Sequence, residues 1–527
     1  MCTILGYLGN DLSPQEFRGY LLRAKTRGPD GCRVEQTPFG LLGFGRLAIM
    51  GLTEKGMQPF CRGGSWAVCN GELYGFRALK AQLERRGYHF ESGSDCELLL
   101  PLYQEYGAEL FRHLDAEFAC LLCDGGTGRV LAARDPFGIR PLFYGYSASG
   151  HIAFASEAKC LVGWVKEILP FPPGHVWCDG KFTPFADVGD VPLYTHAPEA
   201  ELTRSIREKL VRAVEKRLDA DAPLGFLLSG GLDSSLVCAI AARRCKQPIR
   251  TFAIGMEGDA IDLKYARMVA AHIGAAHTEV VMTRAEVLAA VPRVVAALGT
   301  YDITTVRASI GMYLVCKAIH DTTDLKVLLT GEVSDELFGY KYTDFAPDAQ
   351  AFQREAQKRV RELYAYDVLR ADRCLAAHSL EARVPFADLD FARYVMSIDP
   401  AAKMNTTGMG KYLLRRAFAE GGWLPDAILW REKAAFSDAV GHSMVDDLKG
   451  YADGLYTDAE FAEKSARYHF ARPFTKESLW YRELFERAYP GQAAMVPGFW
   501  MPNREWPGCD VADPSARVLA NYGASGE

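Results

Sequence analysis

The chain has 527 residues, 49% of them apolar and 24% charged, with 60 basic against 66 acidic side chains and a net charge of −6. These values exclude a disordered or fibrous chain. They also lack the positive excess that nucleic acid or an anionic membrane surface demands, so neither is expected as a partner. At roughly 150 residues per domain the length allows two or three domains.

No apolar run approaches the ~18–20 residues of a membrane span. Residues 1–11 lack the basic segment of a signal peptide, so a cytoplasmic protein is expected. Fourteen cysteines at irregular intervals read as reduced thiols. Cys120 and Cys123 form the single CxxC, inside a strand-like run where positions i and i+3 point to opposite faces, and zinc is not expected there.

Up to about residue 190, short strand-like runs dominate (3–8, 41–49, 65–69, 118–123, 130–133, 142–146 and 152–155), separated by Gly, Asp and Pro turns. Helical periodicity is confined to 13–23, 76–86 and 96–114. This predicts antiparallel sheets with helices on their outer faces. A proline-rich stretch with Pro172, Pro173, Pro184, Pro192 and Pro198 closes this unit and begins a linker.

From residue 199 the rhythm changes. Helix 201–218, strand 225–229, helix 234–243, strand 249–254, helix 262–273, strand 278–282, two helical segments and strand 326–330 alternate at the spacing of a doubly wound parallel sheet. Ligands of such sheets sit at the carboxyl ends of strands. Three of those ends carry Ser229-Gly230-Gly231, Gly255 and Thr330-Gly331-Glu332. The chain is then mostly helical to about 486, and 491–527 reads as an irregular tail. The expectation is an α/β protein of two domains, 2–190 and 199–490.

Cys2 follows a methionine whose removal would leave a thiol beside a free α-amine, a group of pKa ~7.7–8.0 able to act as base toward its own side chain. The same half holds Arg46-Leu47-Ala48-Ile49-Met50, Asn70-Gly71-Glu72 and Gly93-Ser94-Asp95. Hydrolysis of a side-chain amide needs neutral donors for an oxyanion, which Asn and a Gly N–H supply. It also needs a guanidinium for an α-carboxylate and a carboxylate for an α-ammonium. Singly, these residues read as a turn, a surface ion pair and a helix cap.

With Arg27-Gly28-Pro29-Asp30, Arg134-Asp135-Pro136-Phe137-Gly138 and Ala155-Ser156-Glu157-Ala158-Lys159, this half resembles the glutaminase domain of class II, N-terminal-nucleophile amidotransferases, which implies an αββα sandwich. The resemblance makes Cys2 the nucleophile and Asn70 with Gly71 the oxyanion hole. Arg46, Leu47, Ala48, Ile49, Met50, Glu72 and Asp95 would hold glutamine. Thr26 stands where the family usually has His.

Ser229-Gly230-Gly231-Leu232-Asp233-Ser234-Ser235 joins an apolar strand to a helix. Glycines permit close backbone approach, while hydroxyls and free N–H groups bind phosphate. Asp233 fits there if it holds Mg²⁺ against the phosphates. The missing Gly-Lys-Ser/Thr excludes the usual NTPase loop. The string resembles the pyrophosphate loop of enzymes that adenylate a carboxylate with ATP. Together the two halves resemble the glutamine-hydrolysing asparagine synthetases, with further matches at residues 301–309, 331–336, 381–386 and 430–433.

By that resemblance Leu227 and Ile254 touch adenosine, Leu228 to Ser234 hold phosphate, and Thr330-Gly331 lie by the nucleotide. Glu332 serves the β-aspartyl-AMP step, Asp233 and Asp335 hold Mg²⁺, and Arg307 and Lys433 face pyrophosphate. Glutamine, aspartate and ATP are the implied partners, and a homodimer is left open.

Three rivals stand beside it: an amidotransferase acting on another carboxylate, a β-lactam-forming synthetase, and a catalytically silent protein on the same fold. Cys2 argues against the second, and Cys2, Asp233 and Glu332 together against the third. Val333 replaces the family's usual glycine after Glu332. A β-branched residue resists positive φ, so this loop is expected to need none, or to have shifted.

Overall fold

The computed structural model describes residues 1–258, 260–432, 442–515 and 518–521. Lys433, Ala434 and Ala435 lie outside the described residues. The first half builds two six-stranded antiparallel sheets. One runs Leu169–Pro170, Phe143–Tyr146, Ile152–Ala155, Thr3–Tyr7, Gly40–Arg46, Gly31–Thr37. The other runs Lys181–Pro184, His175–Cys178, Val130–Arg134, Ala116–Cys123, Ser65–Leu73, Phe60–Arg62.

Strand alternation sorts the side chains into layers. Ile4, Leu42, Phe44, Val68, Leu121 and Phe154 share the core between the sheets. Leu5 and Leu41 turn outward onto Phe17 and Leu21 of helix Pro14–Leu22, whereas Cys69, Cys120 and Leu122 turn outward onto Leu98, Leu99 and Leu102. Cys120 and Cys123 fall in different clusters, as their spacing on one strand requires. The sandwich and its helical layers are those expected.

The second half holds a five-stranded parallel sheet in the order Ala276–Met282, Arg250–Met256, Leu224–Leu227, Val327–Leu329, Glu381–Arg383. Helices Leu232–Arg244 and Ile261–Ile273 cover one face and Arg284–Leu298 and Ile303–Thr322 the other, which is the doubly wound arrangement. No single helix among the described residues is long and apolar enough to cross a membrane.

Several elements differ from expectation. The 96–114 helix is a 3₁₀ turn at Asp95–Leu98, a helix at Leu99–Tyr106 and a short helix at Leu110–His113, interrupted where Gly107 takes φ +56°. Strand Ser65–Leu73 runs four residues further than the pattern indicates, because residues 70–73 continue the ladder against residues 116–119. Helix Arg284–Leu298 passes through Pro292 without ending.

The largest departure is Val333, which holds φ +80°, ψ −20° at the start of helix Ser334–Phe338 and is 2% exposed. The loop requires the left-handed conformation after all, and valine adopts it under strain of about 1–3 kcal/mol. Burial of its side chain, worth ~1.5–3 kcal/mol, offsets that strain. Val333→Gly should therefore leave stability within about 1 kcal/mol of the parent, while Val333→Ala loses burial and keeps the strain, and should lose ~1–2 kcal/mol. Urea unfolding midpoints check this. An alanine variant at least as stable as the glycine variant would show that the strain is not there.

Buried ion pairs join the halves. Arg27 spans to Asp372 at 2.6 Å, and Arg140 contacts Glu117 at 3.2 Å and Glu381 at 3.5 Å. Arg217 meets Glu117 at 3.1 Å, and Arg383 meets Glu72 at 2.8 Å.

Candidate active sites

A small cavity of about 30 Å³ in the first half is lined by Cys2, Arg46, Leu47, Ile49, Met50, Gly71, Glu72 and Asp95. Strand Thr3–Tyr7 starts directly after Cys2, whose Sγ donates to the Leu47 carbonyl at 3.6 Å. With Met1 in place, burial pushes the Cys2 thiol up to about 11 and the terminal amine down to about 6. Arg46 ends its strand, and its guanidinium donates to the Thr53 and Gly51 carbonyls at 2.6 Å each. Ala48 is not part of the cavity lining, and its N–H donates to Asp30 at 2.8 Å.

Asn70 is fully buried in mid-strand, and neither its amide N nor its amide O has a hydrogen-bond partner among the described residues. A turn reading of Asn70-Gly71 is thereby excluded. Leaving a buried polar group unpaired costs ~1–3 kcal/mol, so this amide is free to meet a bound group.

Asp95 accepts from the Leu73 N–H at 2.8 Å, and burial raises it to about 6 despite that bond. Burial also raises Glu72 well above the usual carboxylate range, against the pull of Arg383. Several lining residues escape sequence reasoning, Glu381 and Gln58 among them. Glu381 reaches in from the other half, and Gln58 brackets Cys69, accepting from its N–H at 2.6 Å and donating to its carbonyl at 3.1 Å. Gln58 sits in no motif, and Glu381 opens the 381–386 match but was given no role there.

The second cavity, about 250 Å³, opens at the carboxyl ends of the parallel strands. Leu227, Leu228, Ser229, Gly231, Asp233, Ser234, Ile254, Thr330, Gly331, Glu332 and Asp335 all line it, as the sequence indicates. Gly230 sits behind the loop at φ +76°, where a Cβ would fall 2.6 Å from the Ala266 nitrogen, so glycine is obligatory.

Arg307 is not in this cavity. It is 3% exposed and held by Glu477 at 2.5 Å and Asp513 at 3.0 Å, which removes it from any direct contact with pyrophosphate in this arrangement. Among the described residues Arg370, Arg415 and Arg431 bring positive charge to its lining, and Lys411 stands behind the lining carboxylates Asp233 and Asp335. Lys411 Nζ lies 2.8 Å from Asp233 and 2.5 Å from Asp335. Arg370 pairs with Glu332 at 2.5 Å and Asp367 at 2.7 Å. Arg431 stacks on Tyr265 and donates to the Gly230 carbonyl at 3.3 Å.

Among the described residues beyond 490, a 3₁₀ turn at Ala493–Met495 is followed by irregular chain, yet Trp500, Pro502, Pro514, Ser515 and Leu519 form part of the cavity wall. The tail's Pro/Gly composition gave no sign of that packing.

A model of the asparagine synthase family matches residues 205–350 and 343–512, and a glutamine amidotransferase domain model matches 1–168. The chain is 40% identical to the glutamine-hydrolysing asparagine synthetase of Gallus gallus, with 99% of each chain covered. It is 39% identical to that of Homo sapiens at the same coverage, and 38% identical to a probable one from Dictyostelium discoideum over 98% of each. The chain belongs to the glutamine-hydrolysing asparagine synthetases. Val333 and Gly339 cap the two ends of helix Ser334–Phe338, whose Asp335 and Glu336 line the larger cavity.

Proposed function

We propose that the chain makes asparagine from aspartate, ATP and glutamine through β-aspartyl-AMP, with residues 2–190 as glutaminase and 199–490 as synthetase. What supports this most is Asn70, a buried amide without a partner beside a thiol cavity, in a chain that also carries the adenylating phosphate loop.

After Met1 is removed, the Cys2 amine takes the thiol proton and Sγ attacks the glutamine carboxamide carbon. Asn70 and the Gly71 N–H meet the oxyanion, the C–N bond breaks, and ammonia leaves with the proton. Arg46 receives the α-carboxylate, and Glu72 with Asp95 receive the α-ammonium. Water then releases glutamate from the thioester.

In the larger cavity Leu227 and Ile254 flank adenosine, and Leu228 to Ser234 cradle phosphate. The aspartate side-chain carboxylate attacks the α-phosphorus and displaces pyrophosphate. Lys411 and Arg431 stabilise the departing charge, and Lys433 is expected to join them. Arg370 and Asp367 offer the fork and the carboxylate that an amino-acid acceptor needs. Ammonia attacks the acyl carbon, the acyl–oxygen bond to the phosphate breaks so that AMP leaves, and Glu332 takes the excess proton.

Asp233 and Asp335 converge on a single cation, Lys411 Nζ, and among the described residues no cluster of three or more ligands could hold a metal unaided. Two carboxylates completed by nucleotide phosphates fit the way Mg²⁺ binds, and bound there it would screen phosphate charge.

Asp95 predicts a pH dependence. Because burial raises its pKa from 3.8 to about 6, the folded chain binds more protons than the unfolded chain in that window. Its contribution to stability therefore falls as pH rises through the window. Binding the glutamine ammonium needs the ionised form, so KM for glutamine should climb as pH drops below about 6, approaching tenfold per unit. In Asp95→Asn it should be high and flat. A parent profile equally flat between pH 5 and 7 would remove Asp95 from the glutamine site. The acceptor is tested by measuring AMP release across candidate acids. Aspartate should dominate, and turnover of another acid without aspartate turnover would overturn the reading.

A further inference from the structure

Glu72 and Asp95 are assigned to the glutamine α-ammonium, yet they share their cavity with a third buried carboxylate, Glu381. Among the described lining residues only Arg46 is cationic, and its guanidinium is turned to the Gly51 and Thr53 carbonyls. Carboxylates gathered around so small a space repel one another and shed their charge unless a cation stands behind them. That cation comes from the synthetase half. Arg383, fully buried, sets Nη2 2.8 Å from Glu72 and Nε 3.3 Å from Glu381.

The remaining nitrogen fixes the fork. Arg383 Nη1 donates to the Arg217 carbonyl at 3.0 Å and the Asp219 carbonyl at 2.7 Å, at the end of helix Glu199–Arg217, where carbonyls lack partners within the helix. The backbone is fixed as well. Strand Glu381–Arg383 pairs with Val327–Leu329, and the Arg383 carbonyl accepts from the Thr330 N–H at 3.1 Å. Nη2 makes no hydrogen bond elsewhere among the described residues, so it is left to Glu72. Burial lifts Glu72, and Arg383 is the largest influence opposing it, so loss of the guanidinium would push Glu72 further toward its neutral form.

We propose that Arg383 is a positioning residue of the glutamine site, contributed by the synthetase half, that aims the Glu72 carboxylate at the substrate's α-ammonium. The idea rests on the glutaminase reading above. Arg383 is not itself part of the cavity lining, so it acts through Glu72. Residues 2–190 alone would lack this support, which ties glutamine recognition to the joined halves.

The test compares glutamine with glutaramate, which is glutamine without its α-amino group. Hydrolysis of each is followed in the full-length chain, and the ratio of the two kcat/KM values is read. Arg383→Met should lower the preference for glutamine at least tenfold, mostly through KM, because the lost contact is made equally in ground and transition states. Arg383→Lys keeps a charge but not the fork, and should lose about threefold. Glu72→Gln should lose at least tenfold, and adding Arg383→Met to it should change the ratio by less than twofold.

An Arg383→Met chain with the parent's preference overturns the proposal, as does one in which both substrates slow equally, the mark of a purely structural role. So does a further tenfold loss when Arg383→Met is added to Glu72→Gln. Should Arg383→Met not fold, Arg383→Lys decides by the same ratio, and an unchanged preference there overturns the proposal. If the parent hydrolyses no glutamine, the glutaminase reading fails instead. If it does but Glu72→Gln keeps the full preference, the proposal falls while the glutaminase reading stands.

Discussion

Cys2→Ala is expected to abolish glutamine-dependent synthesis, by at least about 10³-fold, while synthesis from ammonium salts continues within about twofold. The loss should be this large because no other thiol can replace the nucleophile. Cys69 and Cys96 lack the adjacent α-amine that would serve as base, and burial holds Cys96 protonated. Survival of the ammonium reaction follows from geometry. The larger cavity draws none of its lining from residues 1–226, so its chemistry does not depend on the thiol. Glutamine turnover surviving in the variant would remove Cys2 from the mechanism. Loss of both activities would show that the two sites are not separable.

Asp233→Asn should lower aspartate-dependent AMP formation by at least about 10²-fold and leave glutamine hydrolysis within twofold. Asp233 takes two contacts of 2.8 Å from Lys411 and one of 2.7 Å from the Ser334 hydroxyl, all beside the phosphate loop. Asn keeps the shape but removes the charge on which a metal-bound nucleotide depends. The fold should survive, since Lys411 retains Asp335 and Ser334 as partners. Unchanged AMP formation would exclude Asp233 from nucleotide binding. Parallel loss of glutaminase activity would point to unfolding, which a thermal melt distinguishes.

Where the sequence was legible, the reason was local. The phosphate loop announces itself because glycines, hydroxyls and an acid must lie within one strand-to-helix turn, and the structure sets those residues around one cavity. Cys2, Arg46, Asn70 and Asp95 come from four separate segments, and only their joint chemistry pointed to a common site. Most of the expected elements were found to within a few residues, because sheet alternation and helix periodicity are short-range patterns. Strands Gly31–Thr37, His175–Cys178, Lys181–Pro184 and Glu381–Arg383 were not read, the middle two falling in the proline-rich stretch taken for turns and linker. Asn70-Gly71 looked like a turn but lies in a ladder, since its pairing with residues 118 and 119 is invisible locally.

Long-range pairing hid the rest. Lys411 is a lone lysine in a polar stretch until the fold brings it 178 residues back to Asp233. Arg307 was expected at the pyrophosphate, but Glu477 and Asp513, from segments with no evident motif, hold it elsewhere. Val333 erred in the opposite direction. Its side chain argued against positive φ, and packing imposed that conformation regardless, because burial compensates for the strain.

The most direct measurement supplies glutamine labelled with ¹⁵N at its side-chain amide, together with aspartate, ATP and Mg²⁺, and follows the products. The account predicts asparagine carrying the label on its side-chain nitrogen, with AMP and glutamate formed in equal amounts to it. Labelled ammonia accumulating with no labelled asparagine, or AMP forming with some other amidated acid, would contradict it.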